Sequence, residues 1–261
     1  IQNTRLMSRI MKSAHDLNSL ILQHAEDLEL SKDGMINDGI ISTKLGLQGI
    51  PDLAELVIIE RDLTLLESIK CRYHISQISS KKSVEIINER KQKVKFTCGV
   101  SINNLSLNEN DIGDFRTFLK LSPPLRTEKD RQSLVKAIND GLIDVIVSDH
   151  KPEDEESKRL TFSKAATGAT GVETLLPLAL ELFHNGSVKL IKLISTITYN
   201  PAKILGINKG SLEKGADADL CIVDISKPWV VDKNKLKSKS KNTPIENRKM
   251  QGQILKTFVK G

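Results

Sequence analysis

Aromatic side chains are scarce in this chain of 261 residues: one Trp, two Tyr and six Phe. Cysteine is scarcer, with only Cys71, Cys98 and Cys221. The three are far apart and form no C-x-x-C pair, which excludes a zinc ribbon and a disulfide framework. Such sparse cysteine points to a reducing, cytoplasmic compartment. No apolar run approaches the ~20 residues of a membrane span, and nothing reads as a signal peptide. A block of single-sign charge is largely missing too. The formal net charge is +6, but basic residues are scattered among acids. The clearest basic run, "KNKLKSKSKN" from Lys233 to Asn242, has no interleaved aromatics and matches no nucleic-acid motif. We therefore expect neither a nucleic acid nor a membrane as partner.

What is present is an alternation of helical and strand patterns. The chain opens on Ile1, not Met, already in a helical pattern. We read it as a fragment, or as a chain whose start was removed. "IQNTRLMSRIMKSAHDL" predicts a helix with Leu6, Ile10 and Met11 on one face. "SLILQH" predicts a short buried strand ending at His24. "DLAELVIIERDLTLLESI" predicts a helix with Asp52 as its cap. "CRYHIS" predicts a strand with His74 near its end, and "SKKSVEIINERKQ" a helix starting at Ser80 or Ser83. "VKFTCGVS" predicts a strand over 94–101. Pro123-Pro124 bars regular helix from the following loop. "TEKDRQSLVKAINDG" predicts a helix capped by Thr127 and stopped by Gly141. "IDVIVSDH" predicts a strand that breaks into Asp149-His150. Two further helices follow, over "GVETLLPLALELFHNG" and "SVKLIKLISTIT". "NPAKILGI" sets Asn200 at an N-cap with Pro201 at the first helical position. Strands alternating with helices argue for parallel βαβ units. From about Ala218 the pattern turns β-like, so we expect two parts: 1–217, a barrel segment, and 218–261, part of a small β domain.

His24, His74 and Asp149 each fall at the C-terminal end of a predicted strand. In a (β/α)₈ barrel every such end opens into one mouth, where active sites sit. Two imidazoles and a carboxylate are a donor set that suits zinc. Zinc lowers the pKa of its bound water to roughly 7. A neighbouring carboxylate can take that water's proton and pass it to a leaving amide nitrogen. His15 and His184 lie on helices and read as surface or capping residues. His150 should face away by strand alternation, in a supporting or a purely structural role.

These residues carry a resemblance. "VIVSDHKPE" resembles the strand-8 motif T-D-H-A-P-H of the dihydroorotases, in the amidohydrolase superfamily. "LILQHAED" resembles the strand-5 metal-histidine segment and "RYHISQIS" the strand-6 H-x-S segment. "KLSPPLRTEKDRQSLVKAINDGLIDVIVSDH" is similar to K-x-N-P-P-L-R…D-R…L…G-x-I-D-x-I-x-T-D-H. "GATGVETLLPL" is similar to G-x-x-G-x-E-T-x-L-P-L, and "NPAKILGINKGSLEKGADADLCIVD" to the superfamily's C-terminal pattern. The likeness runs over nearly the whole chain and is greatest to divergent dihydroorotase-like proteins of alphaproteobacteria.

The resemblance implies a partial (β/α)₈ TIM-type barrel with the remnant of a flanking β domain. It implies zinc, one or two ions in the complete protein, held by His24, His74 and Asp149. Asp149 would also be the catalytic acid/base. Asn104, Ser122 and Gly168 would lie at or near substrate contacts. The implied reaction interconverts N-carbamoyl-L-aspartate and dihydroorotate in pyrimidine biosynthesis. A homo-oligomer is expected. The alternatives are a catalytically inactive structural partner of aspartate carbamoyltransferase and a cyclic amidase with another substrate. The family's strand-1 H-x-H pair and its strand-4 metal-bridging residue have no counterpart here. Ser122 stands where the family has Asn, and Glu153 replaces the final His of the strand-8 motif. Asn103-Asn104 stand where the family tends to have His.

Overall fold

The computed structural model describes residues 1–261. Its strands are β1 (Leu20–Gln23), β2 (Ile36–Asn37), β3 (Gly49–Ile50), β4 (Arg72–Ile78), β5 (Thr97–Ser101), β6 (Val145–Val147), β7 (Leu220–Val230) and β8 (Lys249–Phe258). The helices are α1 (Thr4–Asp16), α2 (Ile40–Leu45), α3 (Leu53–Ile69), α4 (Lys81–Arg90), α5 (Ile102–Ser106), α6 (Glu128–Asp140), α7 (Glu155–Arg159), α8 (Leu175–His184), α9 (Leu190–Ile197) and α10 (Tyr199–Leu205). The central sheet has four strands in the order β1-β4-β5-β6, all parallel. Helices α3, α4 and α6 carry the chain from each of these strands to the next and pack against one another.

The core lies between one sheet face and that helix layer. Ile75, Ile78, Cys98, Val100 and Ile146 meet Leu63, Leu66, Ile87, Leu134 and Ile138 there. Near-continuous apolar strands behave this way when helices cover a parallel sheet. The other face is open, and Leu22 on it is 56% exposed. No helix is long and apolar enough to cross a membrane.

Local signals set most helix ends. Thr127 accepts the amide of Asp130 while the Asp130 carboxylate accepts that of Thr127, and Gly141 closes α6 at φ +76. Such caps contribute ~1 kcal/mol each. Ser80, not Ser83, caps α4. The buried face of α1 is Met7, Met11 and Ala14, not the expected Leu6 side; Leu6 is exposed. The spacing i, i+4, i+7 of that trio is the helical stripe. Asp52 precedes α3 without a side-chain capping bond. Asn200 lies inside α10 and not at its cap; its amide donates to the backbone oxygen of Asp144 at 2.8 Å.

Beyond α10 the chain forms a separate antiparallel pair, β7 with β8. It contacts the sheet's helices through α8.

Candidate functional site

Parallel strands bring all their C-terminal ends to one side. His24 follows β1, Gln77 lies near the end of β4, Ser101 ends β5 and Asp149 comes just after β6. Gln77 reaches past β5 and donates its amide Nε2–H to Asp149 Oδ1 at 2.9 Å. Ser101 donates to Asp149 Oδ2 at 3.2 Å. Both carboxylate oxygens are thus held by neutral donors. Asp149 has φ +49, a left-handed conformation that Asp tolerates better than most residues. That conformation ends the strand and turns the carboxylate toward β4 and β5.

His24 belongs to a neighbouring group. Its Nε2 is 3.1 Å from Glu26 Oε2, and Ser122 Oγ is 3.4 Å from each of these two atoms. The hydrogen bond with His24 holds the Glu26 carboxyl below its ordinary value, against the opposing effect of burial. The Ser122-Pro123 peptide is cis, and the Ser122 hydroxyl places this loop beside the end of β1.

His74 is not in the mouth. It is the third residue of β4, buried, with Nδ1 2.7 Å from Thr97 Oγ1 at the start of β5. The cause is its level: β4 runs on to Ile78, and a register shift above His74 decides which residue reaches the mouth. Ile75 pairs with Cys98 but Ile78 with Val100, so β4 uses one residue more than β5 over the same length. A bulge of this kind breaks the two-residue alternation. Ile75 and Ile78 both face the helices, and Gln77, not a residue in step with His74, turns to the mouth. Gly99 makes room: a Cβ there would lie 2.5 Å from the carbonyl oxygen of the bulged Ser76. Sequence reasoning missed Gln77 because it ended the strand at Ser76, one residue short of it. The serines on either side, in "HISQIS", were the available signal of an irregular strand.

The remaining expected contacts divide. Ser122 is at the mouth, beside His24. Asn104 is buried and donates to the carbonyl of Pro124 at 2.9 Å, so it braces the loop that carries Ser122. Its Oδ1 is buried without a partner. Gly168 is a point of close backbone approach, with φ +141 and Lys151 O 2.7 Å from where a Cβ would be. Its own carbonyl accepts from Lys158 Nζ at 3.0 Å and Asn242 Nδ2 at 3.1 Å. Burial brings the Lys158 ammonium down to about 8. His150 turns away from Asp149, and its Nδ1 accepts the amide of Gly171 at 3.1 Å, a structural role. His184 Nε2 lies 2.9 Å from the Ile225 carbonyl, and His15 is exposed against Lys70.

Beneath the mouth lies a buried polar network. Glu55 accepts the Ser79 amide at 3.0 Å and the hydroxyls of Ser79 and Ser83. Arg126 donates to Ser79 Oγ at 3.1 Å, to Asn37 Oδ1 at 2.8 Å and to the Ile50 carbonyl at 2.6 Å. Asn37 in turn donates to Glu109 at 2.6 Å. Arg126 ties the Pro-Pro loop to β3 and to the end of β4.

The amidohydrolase family profile matches residues 2–261. The chain belongs to the amidohydrolase family. Its four parallel strands are part of a TIM-type barrel of that family, and the mouth described above is that barrel's C-terminal face. The chain is similar to the dihydroorotase of Ehrlichia canis (strain Jake), 44% identical over 263 aligned residues, covering 100% of this chain and 59% of that protein. It is 40% identical to the dihydroorotase of Acetivibrio thermocellus, covering 62% of it. This family member therefore spans about three fifths of those relatives' length. Among solved structures, L-hydantoinase (dihydropyrimidinase) from Arthrobacter aurescens superposes with TM-score 0.87 at 27% identity, covering 99% of this chain and 60% of that one.

Zinc, which the resemblance implies, can be tested against the donors. Catalytic zinc sites normally take three protein ligands. Here His74 is bonded to Thr97 below the mouth, Asp149 is held by Gln77 and Ser101, and His24 is paired with Glu26. No group of three His, Cys, Asp or Glu side chains in the chain could hold a metal ion. The mouth residues do not fit zinc by themselves.

Proposed function

We propose that this chain is the C-terminal part of a dihydroorotase-type hydrolase that interconverts N-carbamoyl-L-aspartate and dihydroorotate in pyrimidine biosynthesis. The observation that carries the reading is Asp149, an acid at the mouth held by an amide and a hydroxyl and by no cation. In ring opening, water oxygen bonds to the ring carbonyl carbon and the C–N bond breaks. Asp149 takes the water's proton and returns it to the departing ring nitrogen, so the carboxylate is regenerated. Ser122 and His24 stand on the β1 side of the mouth to orient the substrate's polar edge. We assign no step to a metal, because the residues present do not form a set that holds one.

The test is dihydroorotate hydrolysis by the full-length protein, followed by the loss of the ring. Turnover that depends on Asp149 supports the reading; a folded full-length protein without turnover overturns it.

A second reading is favoured by one observation, the clasp of Gln77 on Asp149 with no metal-ligating cluster around it. In that reading the protein is a non-catalytic structural partner of aspartate carbamoyltransferase. Co-elution of the two full-length proteins without dihydroorotate turnover would select it.

The reading also includes a barrel portion at 1–217, a small β-domain portion at 218–261, a cytoplasmic setting and a homo-oligomer. Three free thiols suit a reducing compartment. Apolar side chains left in the open, such as Leu22 and Ile191, suit association.

A further inference from the structure

The mouth holds one side chain, Gln77, that proton transfer does not itself consume. We infer that Gln77 is a positioning residue: its amide fixes the plane of the Asp149 carboxylate and so aims the lone pairs that take and return the proton. The inference rests on the reading of this mouth as the cyclic-amide site.

The last torsion of an aspartate is soft, so a carboxylate keeps one plane only where its oxygens are held. The two anchors of Asp149 come from different strands. Gln77 Nε2, on β4, is 2.9 Å from Oδ1, and Ser101 Oγ, at the end of β5, is 3.2 Å from Oδ2. One hydrogen bond to each oxygen leaves each with a free lone pair, and the two anchors together set where those lone pairs point. The sense of the Gln77 amide is fixed by chemistry, since its oxygen turned to the carboxylate would meet a like partial charge. Ser101 has a second duty: its Oγ also accepts the Asn103 amide at 3.2 Å and caps α5. The one hydrogen bond that the Gln77 side chain makes within the protein is the one to Asp149. Burial does not demand it, because both residues are partly exposed and a free amide there would be hydrated. The register shift between Ile75 and Ile78 is what turns Gln77 to the mouth. An irregular strand thus brings one amide to an acid two strands away.

The experiment uses the full-length protein and two variants. Gln77→Met keeps the length of the side chain and removes the donor. Gln77→Glu keeps the shape and sets a second carboxylate against Asp149. In steady-state dihydroorotate hydrolysis, Gln77→Met should lower kcat by about 10- to 100-fold. Its KM should stay within about twofold of wild type, because a misaimed base slows the chemical step and not substrate binding. Gln77→Glu should lose at least as much. In crystal structures the Asp149 carboxylate should hold one orientation in wild type and be turned about its last bond in both variants. A folded Gln77→Met with kcat within about twofold of wild type would overturn the inference. So would a loss confined to KM, or a carboxylate that keeps its wild-type orientation. If Gln77→Met does not fold, Gln77→Glu carries the same comparison. Absent turnover in wild type would overturn the substrate reading instead, and the orientation of Asp149 in the crystal structures would still decide whether Gln77 positions it.

Discussion

Each end of the same four strands carries an acid, and the two acids live differently. At the lower end Asp144, just before β6, meets Lys91 Nζ at 2.8 Å and the Cys98 amide at 2.9 Å. His74 sits close by, and burial pushes its imidazole down to about 4, with Lys91 lowering it further and Asp144 acting against both. At the upper end Asp149 has no cation; it has Gln77 and Ser101. A carboxylate paired with lysine and stitched to a backbone amide is fastening strands together. A carboxylate held by neutral donors keeps its charge available to a ligand. The partners of an acid, more than its place at a strand end, identify its work.

The largest expected effect tests the upper acid. Asp149→Asn should lower dihydroorotate turnover by about 10²–10⁴-fold in the full-length protein. Its melting temperature should scarcely move, because Asn accepts the left-handed backbone and can still take the Gln77 N–H. Near-normal turnover in that variant would erase the distinction between the two ends. Next comes the network beneath the mouth. Arg126→Met leaves Glu55 buried without its compensating charge and should cost about 3–5 kcal/mol, read from the urea midpoint. A change below about 1 kcal/mol would show that the network is not a support for the mouth. At the lower end Asp144→Asn removes the Lys91 pair and should cost about 1–2 kcal/mol, since both partners are partly exposed. It should leave turnover unchanged; a drop in rate beyond the loss of folded protein would make the lower acid functional.

The smallest effect is the pH response of His74. Its folded value, about 4, lies below the ordinary 6.5. Between those values the unfolded chain binds a proton that the folded chain refuses. Stability from this source is therefore complete above about pH 6.5 and declines as pH falls toward 4. Melting curves over that window should be flatter for His74→Gln than for wild type. An identical slope would mean that the imidazole is hydrated and not buried.

Much of the fold was legible because it is encoded locally. The α6 helix announced itself through Thr127, Asp130 and Gly141, and the alternation of apolar strands with helices gave the parallel sheet. Asp149 and His24 were legible as strand-end residues for the same reason. His74 misled because the strand was expected to end soon after it, whereas β4 runs on to Ile78, and Gln77 stayed hidden because the insertion of one residue into β4 is a pairing event between two strands. Nothing in "RYHISQIS" alone fixes where β5 will accept it. Arg126 and Glu55 were missed for a related reason: their partners Asn37, Ile50, Ser79 and Ser83 come from distant segments that only the tertiary structure collects.

The bulge in β4 has a consequence best expressed as phase. A strand of period two can be read in either of two phases, and residues in opposite phases see different solvents, partners and chemistry. The extra residue between Ile75 and Ile78 is a phase slip partway along β4, so its first half and its last half present opposite parities to the mouth. Deleting one residue there would not merely shorten the strand. It would restore a single parity, turn Gln77 toward the helices or break the apolar seat of Ile78, and leave Asp149 facing a different neighbour. For a barrel of this kind, a one-residue insertion or deletion in a strand can rewrite an active site while every substitution-tolerant position stays the same.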